Sequence, residues 1–488
     1  MQSNINKIYL NDLIGQLGIK PFDKADDFLI QSISLDSNKC FEQDVFIAIQ
    51  GSSHHGIEFF AEAIKNGCKY CITSKISNDL PKESQILIPN LESKLAQLCN
   101  IYFGEQRPNK ILAVTGTNGK SSIVDLIYQI ALIFDLSCNS LGTVGFKNEN
   151  GELKQIGLTS PDILSFYKFK TEAALNDVDI FAFEASSHGL DQSRIGDIHV
   201  DAAIFTNLTL DHLDYHKTME NYFLAKKLLF SKHCQDDALK IINIDDDYGL
   251  RLSKELTSNN LFRISQSQKA EINYNMVSKE EFRLKILDQE FYIKHHFVTK
   301  FQILNYISAI AYFVIEHGIS LDNFIDIAKN LKPTKGRVEL FNITKIGAKV
   351  IIDFAHTPDA MQNILTDLKA QTQNRLITVF GCGGDRDKSK RSIMGNIAAT
   401  LSDIAIVTDD NPRYENPSAI RKEIINDNQN LIEVAGRLDA INYGLKLLNT
   451  GDVLVVLGKG HEEYQLINGE KIDFSESAII KNFLKENK

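Results

Sequence analysis

The chain has 488 residues, too long for one ordinary core, and roughly 150 residues per domain puts it at about three domains. Hydrophobic residues make up 43% and charged residues 24%, the balance of a soluble globular protein, which excludes a disordered chain. With 53 basic against 63 acidic side chains the net charge is −10, which excludes a non-specific binder of nucleic acid or anionic membrane but not a small anionic ligand.

Met1–Asp12 lacks a basic region followed by an apolar run, so no export signal is expected. No apolar stretch approaches the ~20 residues that span a bilayer, so no membrane insertion is expected either. Seven scattered cysteines fit a reducing compartment, and the chain is expected in the cytoplasm, as a monomer. Cys68 and Cys71 form a single CxxC in an apolar stretch; with no second pair nearby, strand packing is expected rather than zinc or redox work.

Across residues 1–88, strand-like runs (45–49) alternate with helix-like stretches (58–65). A helical pattern over 91–103 leads into the apolar run 111–114, a short strand of the buried parallel type. Similar runs stand at 180–183 and 202–205, with helical patterns between them. After Lys332-Pro333 the pattern restarts, with buried strands at 350–352, 376–380, 404–407 and 453–457. Alternation of this kind predicts an α/β chain of three units, 1–88, 89–331 and 332–488. The middle unit is expected to hold a parallel sheet and the last a second doubly wound, Rossmann-like sheet.

Between the strand at 111–114 and a helix at 123–134 lies Thr115-Gly116-Thr117-Asn118-Gly119-Lys120-Ser121-Ser122. Glycines there let the backbone fold tightly, so that N–H groups and the helix N-terminus point at phosphate oxygens. Lys120 would reach the terminal phosphates and the Ser121 hydroxyl would bind Mg2+. The usual phosphate-loop spacing is broken in one place, because Val114 occupies the position of the first glycine. Glu184 ends the strand at 180–183, and Thr206-Asn207-Leu208-Thr209-Leu210-Asp211-His212-Leu213-Asp214-Tyr215-His216 follows the strand at 202–205. Ligands collect at the carboxyl ends of parallel strands, and Asn, Asp and His there suit a hard cation; zinc is the alternative. His216 reads as a surface or capping residue. On their own, Lys226 and Lys227 read as two solvated lysines on a helix over 219–230.

Nine segments in register, TGTNGKSS, EASSHGLDQSRIG, TNLTLDHLDYH, LAKKLLF, KGRVELF, DFAHTPDA, FGCGGDRDKSKR, DDNPRYENP and LGKGHEEYQ, resemble the Mur ligase family, ATP-dependent amide-forming enzymes of peptidoglycan precursor synthesis. The resemblance covers nearly the whole chain, with residues 1–88 matching more loosely. It implies the three-domain Mur ligase architecture: a uridine-binding unit, a central P-loop ATPase-like sheet and a C-terminal amino-acid-binding unit. It also implies ATP as a substrate, Mg2+ as cofactor, and the branch that extends UDP-MurNAc-L-Ala-D-Glu with a diamino acid through an acyl phosphate.

By position, the resemblance makes Ser121, Glu184 and His212 magnesium ligands, with Lys226 carbamylated by CO2 as the fourth. It makes Lys120, Lys226 and His212 the catalytic set. ATP contacts fall on Gly116, Thr117, Asn118, Gly119, Lys120, Ser121 and Ser122, and on Asn305, Arg337 and Asp353. The family's usual Gly-x-Phe-Asn is replaced before Asn305 by Thr299-Lys300-Phe301-Gln302. Contacts to the UDP-MurNAc-dipeptide fall on Thr159, Ser160, Ser186, Gln192 and Arg194. Ser37 follows from an Asp-Ser-Arg motif whose arginine is here Asn38.

The tetrapeptide Asp410-Asn411-Pro412-Arg413 resembles the signature of the meso-diaminopimelate-adding enzymes. That amino acid carries a second carboxylate at its far end, which a guanidinium grips with two hydrogen bonds, whereas a guanidinium repels a lysine ammonium. Arg386, Gly458 and Glu462 match the remaining contacts, with Glu462 suited to the distal ammonium. A lysine-adding ligase and a folylpolyglutamate-synthetase-like ligase are the rival expectations. A regulatory ATP-binding protein without activity is a third, and it predicts loss of Lys120, Glu184, His212 or Lys226, all of which are present.

Overall fold

The computed structural model describes residues 7–21, 27–51 and 54–486, so Met1–Asn6 of the segment searched for an export signal lie outside it. The chain forms two compact units, Met1–Leu112 with Asp135–Asp201, and Ala113–Phe134 with Ala202–Lys488.

The first unit opens with a parallel four-stranded sheet in chain order, Ile33–Ser34, Val45–Ala48, Tyr70–Thr73 and Gln85–Leu87. The two middle strands are buried at every position, as parallel strands covered on both faces require. Cys71 lies within the third strand and Cys68 just before it; both are free thiols in one apolar cluster with Cys40, Phe46 and Phe60. That is the strand packing expected of the CxxC. The helix expected over 58–65 begins as a 3-10 turn, Gly56–Phe59, and becomes α-helical over Phe60–Lys65. His55 starts that turn, its ring accepting from Ile57 N while Glu58 accepts from His55 N. Helix Leu91–Phe103 buries Leu91, Leu95, Leu98 and Tyr102, a one-sided apolar stripe. Further on, strand Ile180–Glu184 pairs in parallel with Cys138–Gly142, which runs antiparallel to Gly145–Lys147.

In the second unit, helix Lys120–Ile133 packs on helix Lys300–Glu316, both rich in buried aliphatic residues. Strands Cys234–Asn243, Leu261–Ser265 and Ile272–Met276 are parallel, and Glu281–Ile286 and Gln289–Lys294 continue antiparallel from them. The last sheet has six strands in the order Glu339–Ile343, Ala348–Asp353, Val453–Leu457, Leu376–Phe380, Ile404–Val407 and Leu431–Glu433. Only its first pair is antiparallel. Alternate residues of these strands feed two cores. Ile351, Val455, Leu376 and Phe380 face helices Pro358–Gln371, Lys390–Leu401 and Pro417–Ile425. Val350, Ile352, Val456 and Ile377 face helices Arg437–Lys446 and Glu476–Glu486. A sheet with helices on both faces is the doubly wound arrangement expected after residue 332. Among the described residues no helix is long and apolar enough to cross a membrane.

Candidate active site

Strand Lys110–Thr115 runs into Gly116, and helix Lys120–Ile133 starts on Gly119. Both glycines have positive φ, 147° and 91°. A Cβ at Gly116 would collide with Thr206 Oγ1, and one at Gly119 would stand 2.6 Å from Asn305 Oδ1. The loop lies against the segment after strand Val200–Phe205: Thr206 Oγ1 donates to Asn118 O at 2.6 Å, and Asn118 N donates to Asn207 Oδ1 at 3.0 Å. Thr209 N donates to Thr117 Oγ1 at 3.0 Å, and that hydroxyl is 3.1 Å from Tyr222 OH. Glycine is therefore required twice over, for conformation and for space. Gly119→Ala is expected to raise the KM for ATP by roughly tenfold, because strained backbone costs about 1–3 kcal/mol. An unchanged KM for ATP in steady-state kinetics would refute nucleotide binding at this loop.

Two lysines converge on the loop's carbonyls. Lys120 Nζ donates to Gly116 O at 2.9 Å and Thr117 O at 2.8 Å, and Lys226 Nζ donates to the same Gly116 O at 2.6 Å. Lys226 lies on helix Met219–Ser231, is 1% exposed, and its ammonium stands 4.8 Å from the Tyr222 ring centroid. Burial, then the charge of Lys120, push its pKa well below the usual lysine value, with Asp211 opposing. The solvated reading of Lys226 is thus corrected: its helix turns that position inward, while Lys227 points outward to Glu255 at 2.7 Å. Tyr222 is the packing centre here. His216 stacks on it at 5.1 Å and is 5% exposed, which overturns the surface expectation for that residue.

Ser121 is buried, and Arg337 Nη2 donates to its Oγ at 3.2 Å while the guanidinium lies 4.3 Å from the Phe354 ring centroid. Asn305 is buried against Gly119. Asp353 stands one step back, its carboxylate accepting from Val338 N at 2.8 Å and Ala355 N at 2.7 Å, so it anchors the chain beside Arg337. Ser122 occupies the first turn of the loop's helix. His212, at φ 54°, has Nε2 3.3 Å from Asp211 Oδ2, and His356 Nε2 is 3.8 Å from the same oxygen. Burial raises the Asp211 pKa, yet the charges of His212, His356 and Lys390 outweigh it and hold it at about 2. Sequence reasoning offered the Asp and His residues of this segment as cation ligands but not as an Asp211–His212 pair, and it passed over His356. The Asp-His dipeptide was the available signal. Among the described residues no group of three or more His, Cys, Asp or Glu side chains is arranged to hold a metal ion.

In the first unit, five of the residues expected to touch the UDP-MurNAc-dipeptide gather around Glu184. The buried Glu184 carboxylate accepts from Thr143 N at 2.7 Å and Thr143 Oγ1 at 3.1 Å, and that hydroxyl is 3.0 Å from Thr159 Oγ1. Ser160 Oγ donates to Glu184 O at 2.9 Å and accepts from Ser186 N at 3.0 Å. Arg194 reaches Ser160 O at 2.8 Å and Gln192 Oε1 at 2.7 Å. Ser37 is elsewhere, its hydroxyl donating to Glu62 Oε2 at 3.1 Å.

The loops that follow strands Leu376–Phe380, Ile404–Val407 and Val453–Leu457 meet at the carboxyl ends of the last sheet, where its strand order reverses. Arg413 sits there at φ 54°, fixed by Arg413 N to Leu466 O at 2.9 Å and Asn468 N to Arg413 O at 2.7 Å. Its Nη1 donates to Gly384 O at 2.6 Å. Burial, then the neighbouring Arg386, push its pKa down. The carboxylates of Asp410, Glu462 and Asp385 oppose that shift. Arg386 is largely exposed, with Nη1 3.8 Å from Asp214 Oδ2. Asn411 Nδ2 donates to Glu462 Oε2 at 2.9 Å. Asp410 O accepts from Gln465 Nε2 at 2.7 Å, and Pro412 O accepts from Glu415 N at 3.0 Å. Gly458, at φ 117°, lies so close to Asp410 that a Cβ would stand 2.6 Å from its Oδ2.

Two buried arginines that sequence reasoning missed tie these loops down. Arg391 bonds Glu423 at 2.7 Å and Gly383 O at 3.1 Å. Arg437 bonds Glu476 at 2.7 Å, Leu457 O at 2.7 Å and Asp409 O at 3.2 Å. An arginine on an amphipathic helix gives no sequence signal of which face it occupies.

Residues 114–313 match the family model of the Mur ligase middle domain, and residues 336–460 that of the Mur ligase glutamate ligase domain. The chain is 36% identical over 470 residues to the UDP-N-acetylmuramoyl-L-alanyl-D-glutamate–2,6-diaminopimelate ligase of Rickettsia conorii, covering 93% of this chain and 96% of that one. It is 38% identical over 464 residues to the protein of the same name in Rickettsia bellii, at 92% and 95% coverage. A solved structure described as UDP-N-acetylmuramoyl-L-alanyl-D-glutamate–2,6-diaminopimelate ligase superposes with a TM-score of 0.64 at 27% identity, covering 99% of both chains.

Proposed function

The chain belongs to the Mur ligase family, and on that premise we propose that it is the ATP-dependent ligase that adds meso-2,6-diaminopimelate to UDP-MurNAc-L-Ala-D-Glu in cytoplasmic peptidoglycan precursor synthesis. The observation that carries this reading is the pair of arginines, Arg386 and Arg413, whose side chains both border Gly383 in one loop cluster with Asn411 and Glu462. Such a pair suits a ligand with a carboxylate beside an ammonium, which is the distal end of meso-diaminopimelate. Lysine has no carboxylate there. The names of the relatives support the same substrate.

We assign residues 1–88 to the uridine end of the nucleotide substrate, 89–331 to ATP and 332–488 to the amino acid. The D-Glu side-chain carboxylate is a poor electrophile until one of its oxygens can depart as phosphate. That oxygen attacks the γ-phosphorus of ATP and ADP leaves. The amine then attacks the acyl phosphate, and the tetrahedral intermediate collapses to amide and phosphate. Loop N–H groups and Lys120 offset the charge on the transferring phosphoryl group, Lys120 exchanging the carbonyls of Gly116 and Thr117 for phosphate oxygens. Arg337, whose guanidinium donates to Ser121, would add a second positive charge beside the phosphates.

Mg2+, when bound, would supply further counter-charge to the phosphates; in the second unit its proposed ligands are Ser121, His212 and Lys226. An ammonium does not ligate a cation, so the set fits only with Lys226 as a carbamate. The structure favours that chemistry: a desolvated amine sharing one carbonyl with Lys120 sheds its proton readily, and the neutral amine adds CO2 to give a carbamate and a proton. The resulting oxygens suit a hard cation.

The test is phosphate release from ATP with UDP-MurNAc-L-Ala-D-Glu and meso-diaminopimelate, lysine or no amine. Release is expected with diaminopimelate at more than roughly tenfold the lysine rate, the discrimination a site built for a charged partner provides. Equal rates with lysine would overturn the choice of amino acid.

A further inference from the structure

The floor of the amino-acid site holds a buried cation that the proposed reaction does not use. Lys459 follows Gly458, and its side chain is fully buried. Its Nζ donates to Asn411 Oδ1 at 2.9 Å and Glu462 Oε2 at 3.0 Å, and lies 3.9 Å from Asp410 Oδ1. An ammonium only donates, so the Asn411 amide must turn its oxygen towards Lys459. The same oxygen accepts from Leu466 N at 3.0 Å. The amide nitrogen is thereby turned to Glu462 Oε2, at 2.9 Å. It carries a second N–H, and Glu462 a second oxygen, for a ligand.

Below this group Arg437 and Glu476 form a second buried ion pair at 2.6 Å, with one Glu476 oxygen lacking a partner among the described residues. Two buried cations, Lys459 and Arg437, thus stand among three carboxylates, Asp410, Glu462 and Glu476. A ligand ammonium would find the second oxygen of Glu462, while Arg386 and Arg413 at the rim take a carboxylate.

We propose that Lys459 is a positioning residue that sets amino-acid specificity, holding Asn411 and Glu462 in the one arrangement that accepts a zwitterionic ligand end. This rests on the amino-acid site described under the proposed function.

In the full chain, Lys459→Met is expected to raise the KM for meso-diaminopimelate by roughly tenfold or more, the effect of losing charge-assisted hydrogen bonds. The KM for ATP and for the nucleotide substrate should stay within about twofold. A purely structural role would degrade all three together and would overturn the proposal. In a Glu462→Gln background the same substitution should add less than about twofold, because its effect runs through Glu462; a full additive rise would overturn it. Stranding buried carboxylates can prevent folding, and the thermal midpoint reports this. If it does, Lys459→Arg is measured instead: it keeps the charge but misplaces the donors, so the KM for diaminopimelate should still rise, and an unchanged KM overturns the proposal. Arg413→Ala, run alongside, separates the two readings. A rise there without one in the Lys459 variants refutes Lys459 alone, and no rise with Arg413→Ala refutes the site itself.

Discussion

Lys226→Ala is expected to lower the turnover number by roughly a hundredfold or more, the scale seen when one preorganised charge is removed from a reacting centre. The amine is buried beside Lys120 on a shared carbonyl, and burial and that neighbour both favour its neutral form. As a carbamate it would place a negative charge beside Lys120 at the phosphate loop and would supply oxygens for Mg2+. The alanine variant loses all of this without stranding a buried charge, so its thermal midpoint should change little. Added formate or acetate is expected to restore part of the turnover by standing in for the carbamate oxygens. Full activity in the alanine variant would rule out the carbamate role.

Arg413→Ala should raise the KM for meso-diaminopimelate by roughly a hundredfold while that for ATP stays within about twofold, since truncating one partner of a desolvated charge pair costs about 2–5 kcal/mol. The guanidinium is preorganised. Its backbone is held in the left-handed region by bonds to Leu466 and Asn468, and Gly384 O fixes its Nη1. Little entropy remains to be lost when the ligand carboxylate arrives. Arg386 stays behind in the variant, so residual diaminopimelate binding should persist and fall steeply with salt. Unchanged diaminopimelate kinetics would remove the specificity argument.

Much of this was legible along the chain. The apolar runs at 376–380, 404–407 and 453–457 became parallel strands with those limits, because residues buried on both faces of a parallel sheet leave an unbroken apolar signature. The glycines of the phosphate loop were legible too, since their conformation is a local property. The antiparallel strands Glu281–Ile286 and Gln289–Lys294 were not. Their alternation of buried Phe282, Leu284 and Ile286 with polar residues is short and bounded by charges.

At the candidate site the division runs the same way. The sequence by itself determined the fold class, the family, and which segments carry chemistry, because glycine conformation, strand burial and motif order are written locally. It also placed Arg413 beside a strand end. Only the tertiary structure decided the state of each charged side chain. Lys226 and Lys227 are adjacent in sequence, yet one is buried on Gly116 O and the other lies on the surface with Glu255. Nothing local marks Lys459, Arg437 and Arg391 as buried; packing brings Glu462, Glu476 and Glu415 to them from distant segments or the next turn. The reason is physical: a charge is set by what surrounds it in three dimensions, through desolvation and neighbours within a few ångströms, and neither is local in the chain.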